Sequence, residues 1–178
     1  MSQSTWTIDT SHTTAQFSVR HMMVSNVRGH FQGVTGRLEL DESDVTKSKI
    51  EVAIDATTLD SRDPKRDEHL KSADFFDVAN NPKITFSSTK VTQKSEGHLL
   101  VEGALTMHGV SKPVTLEVEG LTPAFKNPWG QTVRGAHAHT KVNRKDWNLN
   151  WNVALEAGGI LVGDEVKLEL DVELTLKS

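Results

Sequence analysis

From Glu165 to Leu176 the chain alternates with a period of two. Val166, Leu168, Leu170, Val172, Leu174 and Leu176 are apolar, while Glu165, Lys167, Glu169, Asp171, Glu173 and Thr175 between them are polar. Successive side chains of a β-strand point to opposite faces, so this segment reads as a strand with one apolar and one wet face. At ~3.3 Å per residue its twelve residues reach ~40 Å, beyond the usual strand length. The alternation recurs at Val34, Gly36, Leu38 and Leu40, at Ile50, Val52, Ile54 and Ala56, and at Val114, Leu116 and Val118. Weaker strand signals cover 14–21, 83–92, 97–107 and 132–142. A wet face on each strand points to antiparallel pairing, because parallel sheets are covered on both faces and read as unbroken apolar runs.

Turn chemistry separates these segments at Asp41-Glu42-Ser43-Asp44, at Ser95-Glu96-Gly97, and at His108-Gly109-Val110-Ser111 before Pro113. Roughly eight long strands with one inward face bury it by closing on themselves, and ~8 strands enclose either packed side chains or one small ligand. The fold class expected is therefore all-β, an antiparallel eight-stranded barrel. Gly29, Gly33 and Gly36 punctuate a strand and are expected to be bulges or bends. Asp63 before Pro64, with Leu70, Ala73 and Phe76 at helical spacing, predicts a short helix to about Asp77, ended by Asn80-Asn81-Pro82. A second short turn or helix is expected around Arg144 to Trp151.

Length and charge narrow the function classes. The 178 residues fit one domain, 1–178. A net charge of -4 with interspersed acids and bases offers no basic face for nucleic acid. Apolar runs of a few residues fall far short of the ~20 that span a bilayer, so no transmembrane segment is expected. The absence of cysteine excludes disulfides and thiolate chemistry. Met1-Ser2-Gln3-Ser4-Thr5-Trp6 has neither a basic start nor an apolar core of a signal peptide, so the expected compartment is the cytoplasm, or the periplasm if the chain is a processed form.

Several stretches match a known pattern in order and spacing. They are Trp6-Thr7-Ile8-Asp9 with His12, Phe17-Ser18-Val19-Arg20-His21-Met22-Met23-Val24, and Val27-Arg28-Gly29-His30-Phe31 with Gly36. Further along come Arg66-Asp67-Glu68-His69-Leu70, Asp74-Phe75-Phe76-Asp77-Val78, Pro82-Lys83-Ile84-Thr85-Phe86, and Leu105-Thr106-Met107-His108-Gly109-Val110-Ser111-Lys112-Pro113-Val114. On these residues the chain resembles the YceI-like family of polyisoprenoid-binding proteins over nearly its whole length. The resemblance implies an elongated lipocalin-like barrel that holds a polyprenyl chain, such as an isoprenoid quinone or prenyl pyrophosphate, along its axis. It implies a lipid ligand with no further cofactor, a binding, storage or transport role in place of an enzyme, and a homodimer. Where the family often has phenylalanine and glycine after Arg-x-Asp, this chain reads Arg144-Lys145-Asp146-Trp147-Asn148, which implies a different local pocket shape.

The residues expected to line the apolar slot are Phe17, Val19, Met22, Met23, Phe31, Leu38, Ile54 and Leu70, followed by Phe75, Phe76, Phe86, Leu105, Met107, Trp147 and Trp151. Plain core packing is the competing reading of the same residues. A tail is easier to recognise than a head group: at roughly 0.3 kcal/mol per heavy atom a ~40-carbon tail supplies on the order of 12 kcal/mol without any polar motif. Arg66, Asp67, His69 and Arg144 either meet a polar head group or pin the helix over one barrel end.

Two readings from other classes compete. His137 and His139 lie two apart on one strand face, as a metal pair does, with His12, His21 or His108 as the possible third ligand of a metal-dependent enzyme. A stress-related interaction module acting through its dimer surface is the other. No Gly-x-Ser-x-Gly elbow and no phosphate-cradling glycine pattern occurs.

Overall fold

The computed structural model describes residues 3–178. Its strands are β1 (Gln3–Ile8), β2 (Thr14–His21), β3 (Ser25–Phe31), β4 (Val34–Asp41), β5 (Lys49–Asp55), β6 (Lys83–Ser95), β7 (His98–Met107), β8 (Val110–Glu119), β9 (Phe125–Lys126), β10 (Thr132–Asn143) and β11 (Val162–Leu176), with one α-helix, α1 (Pro64–Lys71). All pairings are antiparallel, and the additional β11–β10 ladder closes the sheet. The wall is an eight-stranded meander, because β1 and β2 are two halves of one interrupted strand and so are β3 and β4. β11 is long enough to pair with β2 along Val162–Asp171 and with β1 along Leu174–Leu176.

The interruptions are built from local hydrogen bonds. Between β1 and β2 a 3₁₀ turn, Thr10–His12, is started by Asp9, whose carboxylate accepts from Ser11 N, while the Thr13 hydroxyl accepts from Glu173 N on β11. Between β3 and β4 the hydroxyl of Thr58 accepts from both Gln32 N and Gly33 N. The backbone groups that leave the ladder are thus paired elsewhere, as buried polar groups must be. The sequence places β7 and β8 together through His108 and Gly109, which both have positive φ (54° and 73°), the twist that a two-residue hairpin demands.

The helix begins where expected, with Asp63 accepting from Lys65 N and Arg66 N and Pro64 in the first turn. It ends at Lys71, six residues before Asp77, because Ser72 leaves the helical region and its hydroxyl donates to the His69 carbonyl. Phe75 and Phe76 follow in turns, and Phe76 N bonds back to Leu70 O. The second short element is a 3₁₀ turn over Arg144–Trp147.

The barrel interior is divided along its length. One end is filled by Trp6, Leu38, Leu40 and Leu174, and Arg134 lies over the Trp6 ring at 5.3 Å while pairing with Glu42 at 2.9 Å. The other end, where β5 hands over to α1 and β6 begins, is not filled in the same way.

Candidate ligand-binding slot

At that second end the wall encloses a cavity of about 250 Å³. Its lining comes from the inward faces of β2, β3, β5, β6, β7, β8, β10 and β11, and from α1, the turn at Phe75 and Phe76 and the loops around Leu149, Trp151 and Leu161. The apolar row of β11 shows how the interior changes: Val166, Leu168 and Leu170 face the slot, while Leu174 belongs to the packed end. The three slot residues are only half-buried, because a hollow and not protein lies in front of them.

Two triads of rings border the slot. Phe17, Phe31 and Phe76 have centroids 5.7–6.1 Å apart. His69, Phe75 and Trp151 have centroids 4.6–5.3 Å apart. Both spacings lie in the range of favourable aromatic contacts. The segment after α1 therefore contributes Phe75 to one triad and Phe76 to the other, so the short turn at Ser72 is what brings the helix and its aromatic tail over the barrel.

The polar groups here are mostly engaged with protein. Arg66 donates through Nε to Ser61 Oγ at 2.9 Å and through Nη2 to the Ser61 carbonyl, and Asp67 accepts from Ser61 N at 2.7 Å and from Ser61 Oγ. His69 Nε2 meets Asp74 Oδ2 at 2.9 Å. Arg144, only 3% exposed, donates to the carbonyls of Gly163, Leu149, Trp151 and Val162. Burial pushes its guanidinium below the usual arginine value, and Asp164 at 3.9 Å opposes that shift. Arg66, His69 and Arg144 also border the slot, and Asp67 does not.

Most of the residues expected at the slot come together there: Phe17, Val19, Phe31, Ile54, Leu70 and Phe75, then Phe76, Phe86, Leu105, Met107 and Trp151. Four do not. Met22 and Met23 sit at positive φ in the turn between β2 and β3 and are 47% and 59% exposed. Leu38 lies in the packed end. Trp147 is buried in the core beside the slot without lining it, its Nε1 donating to the Leu105 carbonyl at 3.0 Å. Val52, Ile84, Leu116, Val142, Leu149 and Leu168 line the slot and were not among the expected set. Alternation had already put Val52, Leu116 and Leu168 on an apolar face; what it lacks is height along the barrel.

The histidine set also differs from expectation. His137 Nδ1 meets Asp171 at 2.7 Å and His12 meets Asp9 at 2.9 Å, while His108 Nδ1 donates to the Trp147 carbonyl at 2.9 Å and His21 borders the slot. They form no common site with His139. Gly29 is no bulge either: it pairs with Phe17 in regular register, and a Cβ there would collide with the Phe17 ring.

The profile of the YceI-like domain matches residues 6–174. The chain belongs to the YceI-like family. Within that family it is 34% identical over 172 residues to a UPF0312 protein of Staphylococcus aureus, covering 96% of this chain and 97% of the relative. It is 38% identical over 146 residues to a UPF0312 protein of Vibrio campbellii, covering 81% and 77%. Among solved structures, the Campylobacter jejuni YceI protein superposes with a TM-score of 0.73 at 26% identity, over 89% of this chain and 90% of that one. Burkholderia cenocepacia BcnA gives a TM-score of 0.77 at 19% identity, over 93% and 98%. A polyisoprenoid binding domain from Saccharophagus degradans gives 0.67 at 11%, over 97% and 98%. These two share the fold. In this YceI-like barrel the segments Phe17–Val24, Arg66–Leu70 and Asp74–Val78, quoted above for the resemblance, converge on the slot end.

Proposed function

We propose that this protein binds a long apolar chain in the slot, a polyisoprenoid such as a quinone or prenyl pyrophosphate tail, to store or carry it. The observation that carries the reading is the hollow itself: apolar side chains of eight strands and a helix converge on a space that they do not fill. Hydrocarbon gains ~0.8 kcal/mol per methylene on leaving water for such a space. Membership of the YceI-like family and the fold shared with a polyisoprenoid binding domain support the same class of ligand. Among the described residues that line the slot there is no carboxylate, whereas Arg20, Arg66 and Arg144 are present. That balance favours an anionic or neutral head group over a cationic one.

The cavity of about 250 Å³ lies just under the ~300–1,000 Å³ of small-molecule sites. A long tail therefore enters by one end, and further length requires the rings at the mouth to swing or the tail to run outward. The test is mass spectrometry of organic extracts from protein purified without detergent, comparing the natural sequence with Leu168→Trp, whose larger ring occupies the slot. A polyprenyl lipid in the first and its loss in the second, with circular dichroism unchanged, is the expected result. No lipid in the first, or the same load in both, contradicts the reading.

A further inference from the structure

We propose that the outer wall of the barrel carries a divalent transition-metal site, of the kind that takes Zn²⁺, formed by His98 of β7, Glu117 and Glu119 of β8, and His139 of β10. Sheet register brings these residues together. His98 stands opposite Glu119, which stands opposite His137, and Glu117 stands opposite His139 in the next outward row.

What separates this cluster from the other histidine–carboxylate pairs in the same molecule is the number of partners: His30, like the rest, pairs with one carboxylate, that of Asp60 at 3.9 Å. His12, His69 and His137 each meet a single carboxylate directly, at 2.9, 2.9 and 2.7 Å. His98 and His139 instead straddle the same two carboxylates. His98 Nε2 is 4.0 Å from Glu117 Oε2 and 4.0 Å from Glu119 Oε1, and His139 Nε2 is 3.4 and 3.7 Å from those same atoms. Charge-assisted hydrogen bonds close to ~2.7–2.9 Å, so none of these four contacts is one.

His98 Nε2 is moreover buried without a hydrogen-bond partner among the described residues, a costly state for an imidazole nitrogen. One ligand atom each from His98, Glu117 and Glu119 lies within 4.8 Å of the other two. Zinc binds nitrogen at ~2.0–2.1 Å and carboxylate oxygen at ~2.0–2.2 Å, so the edges of its tetrahedron are about 3.3–3.6 Å. The four histidine–carboxylate separations, 3.4–4.0 Å, lie close to that edge. His98, Glu117 and Glu119 make the compact group, and a cation there draws them in together with His139 from β10. Two imidazoles with two carboxylates suit zinc and its neighbours better than the all-oxygen sites of calcium or magnesium.

The location gives the site a consequence. β8 and β10 pair only through Glu117, Val118 and Glu119 against His139, Ala138 and His137, whereas each pairs along most of its length with its other neighbour, β7 or β11. A metal held by His139 on one side and Glu117, Glu119 and His98 on the other ties this short seam. Leu116 and Val142, on the inner face of the stretch where the two strands have separated, line the slot.

Zn²⁺ is titrated into chelator-treated protein by calorimetry, and Co²⁺ is used to read coordination from visible absorption. The expected result is one Zn²⁺ per chain and an intense four-coordinate Co²⁺ spectrum. Affinity should fall at least tenfold in His98→Ala and in Glu117→Gln/Glu119→Gln, and hold in His12→Ala, whose histidine belongs to the separate group of Asp9 and Glu173. All the substituted side chains are on the outer wall, and circular dichroism confirms folding. Absence of stoichiometric binding, binding indifferent to the first two variants, or loss in His12→Ala overturns the proposal.

Discussion

Arg144 joins the chain on either side of the slot, because its guanidinium serves four backbone carbonyls of the loop 149–151 and of the start of β11. Removing it leaves buried carbonyls without donors, at about 1–3 kcal/mol for each group left unsatisfied. Arg144→Ala should therefore lower stability by about 3 kcal/mol or more in urea denaturation, and Arg144→Lys should recover little, since an ammonium cannot reproduce the planar fork. The sequence singled out this arginine but not its role, because the four acceptors are backbone atoms and carry no residue signature. Carboxylates at the turns act at the same scale. Asp9, Asp41, Asp44 and Asp55 are held below the usual 3.8, chiefly by hydroxyl donors from Ser11, Ser43, Thr46 and Thr57. Depressed folded-state values mean that their contribution is complete above the unfolded values and is lost as pH falls through the folded ones. Stability measured against pH should hold above about pH 5 and decline below about pH 4, less steeply in Asp41→Asn. A profile in Asp41→Asn identical to that of the natural sequence contradicts this assignment.

Among the elements, β5, β8 and β11 were legible because their apolar residues alternate without a gap, β4 because Gly36 alone interrupts its row, and β6 and β7 gave only weaker signals. β3 was not legible, and Gly29 is the reason. On its inward face Val27 and Phe31 flank Gly29, a missing apolar residue whose place is taken by the Phe17 ring from β2. Pattern reading sees a break where packing has made a substitution across strands. Gly29→Val should cost about 1–3 kcal/mol through overpacking against Phe17, read as a lower urea midpoint. The helix was legible at its start, where Asp63 and Pro64 are local signals, and misread at its end, where Leu70, Ala73 and Phe76 share a spacing that turns also satisfy. Asp63→Ala should cost about 1 kcal/mol.

At the scale of the molecule, one barrel has two interiors. Trp6 in the packed end and Leu168 at the slot both belong to apolar rows, yet their surroundings differ. Trp6→Ala opens a cavity in close-packed protein and should cost about 3–5 kcal/mol; Leu168→Ala only enlarges an existing hollow and should fall at or below the low end of the ~2–5 kcal/mol seen for buried leucines. Alternation could not separate the two, since it reports the face a side chain takes and not its height, which is why Leu38 was expected at the slot and Leu116 was not. Affinity for a homologous series of chains should rise by about fourfold per methylene until the hollow is full and then level off, a direct gauge of its depth. The most direct measurement uses the tryptophans: among the described residues only Trp151 borders the slot, while Trp6 and Trp147 are buried elsewhere and Trp129 is exposed. Titration with a long chain brominated near its tail should quench fluorescence saturably at one chain per barrel, and Trp151→Phe, but not Trp129→Phe, should abolish most of that quenching. Quenching that never saturates, or that survives unchanged in Trp151→Phe, would contradict a tail held inside the barrel.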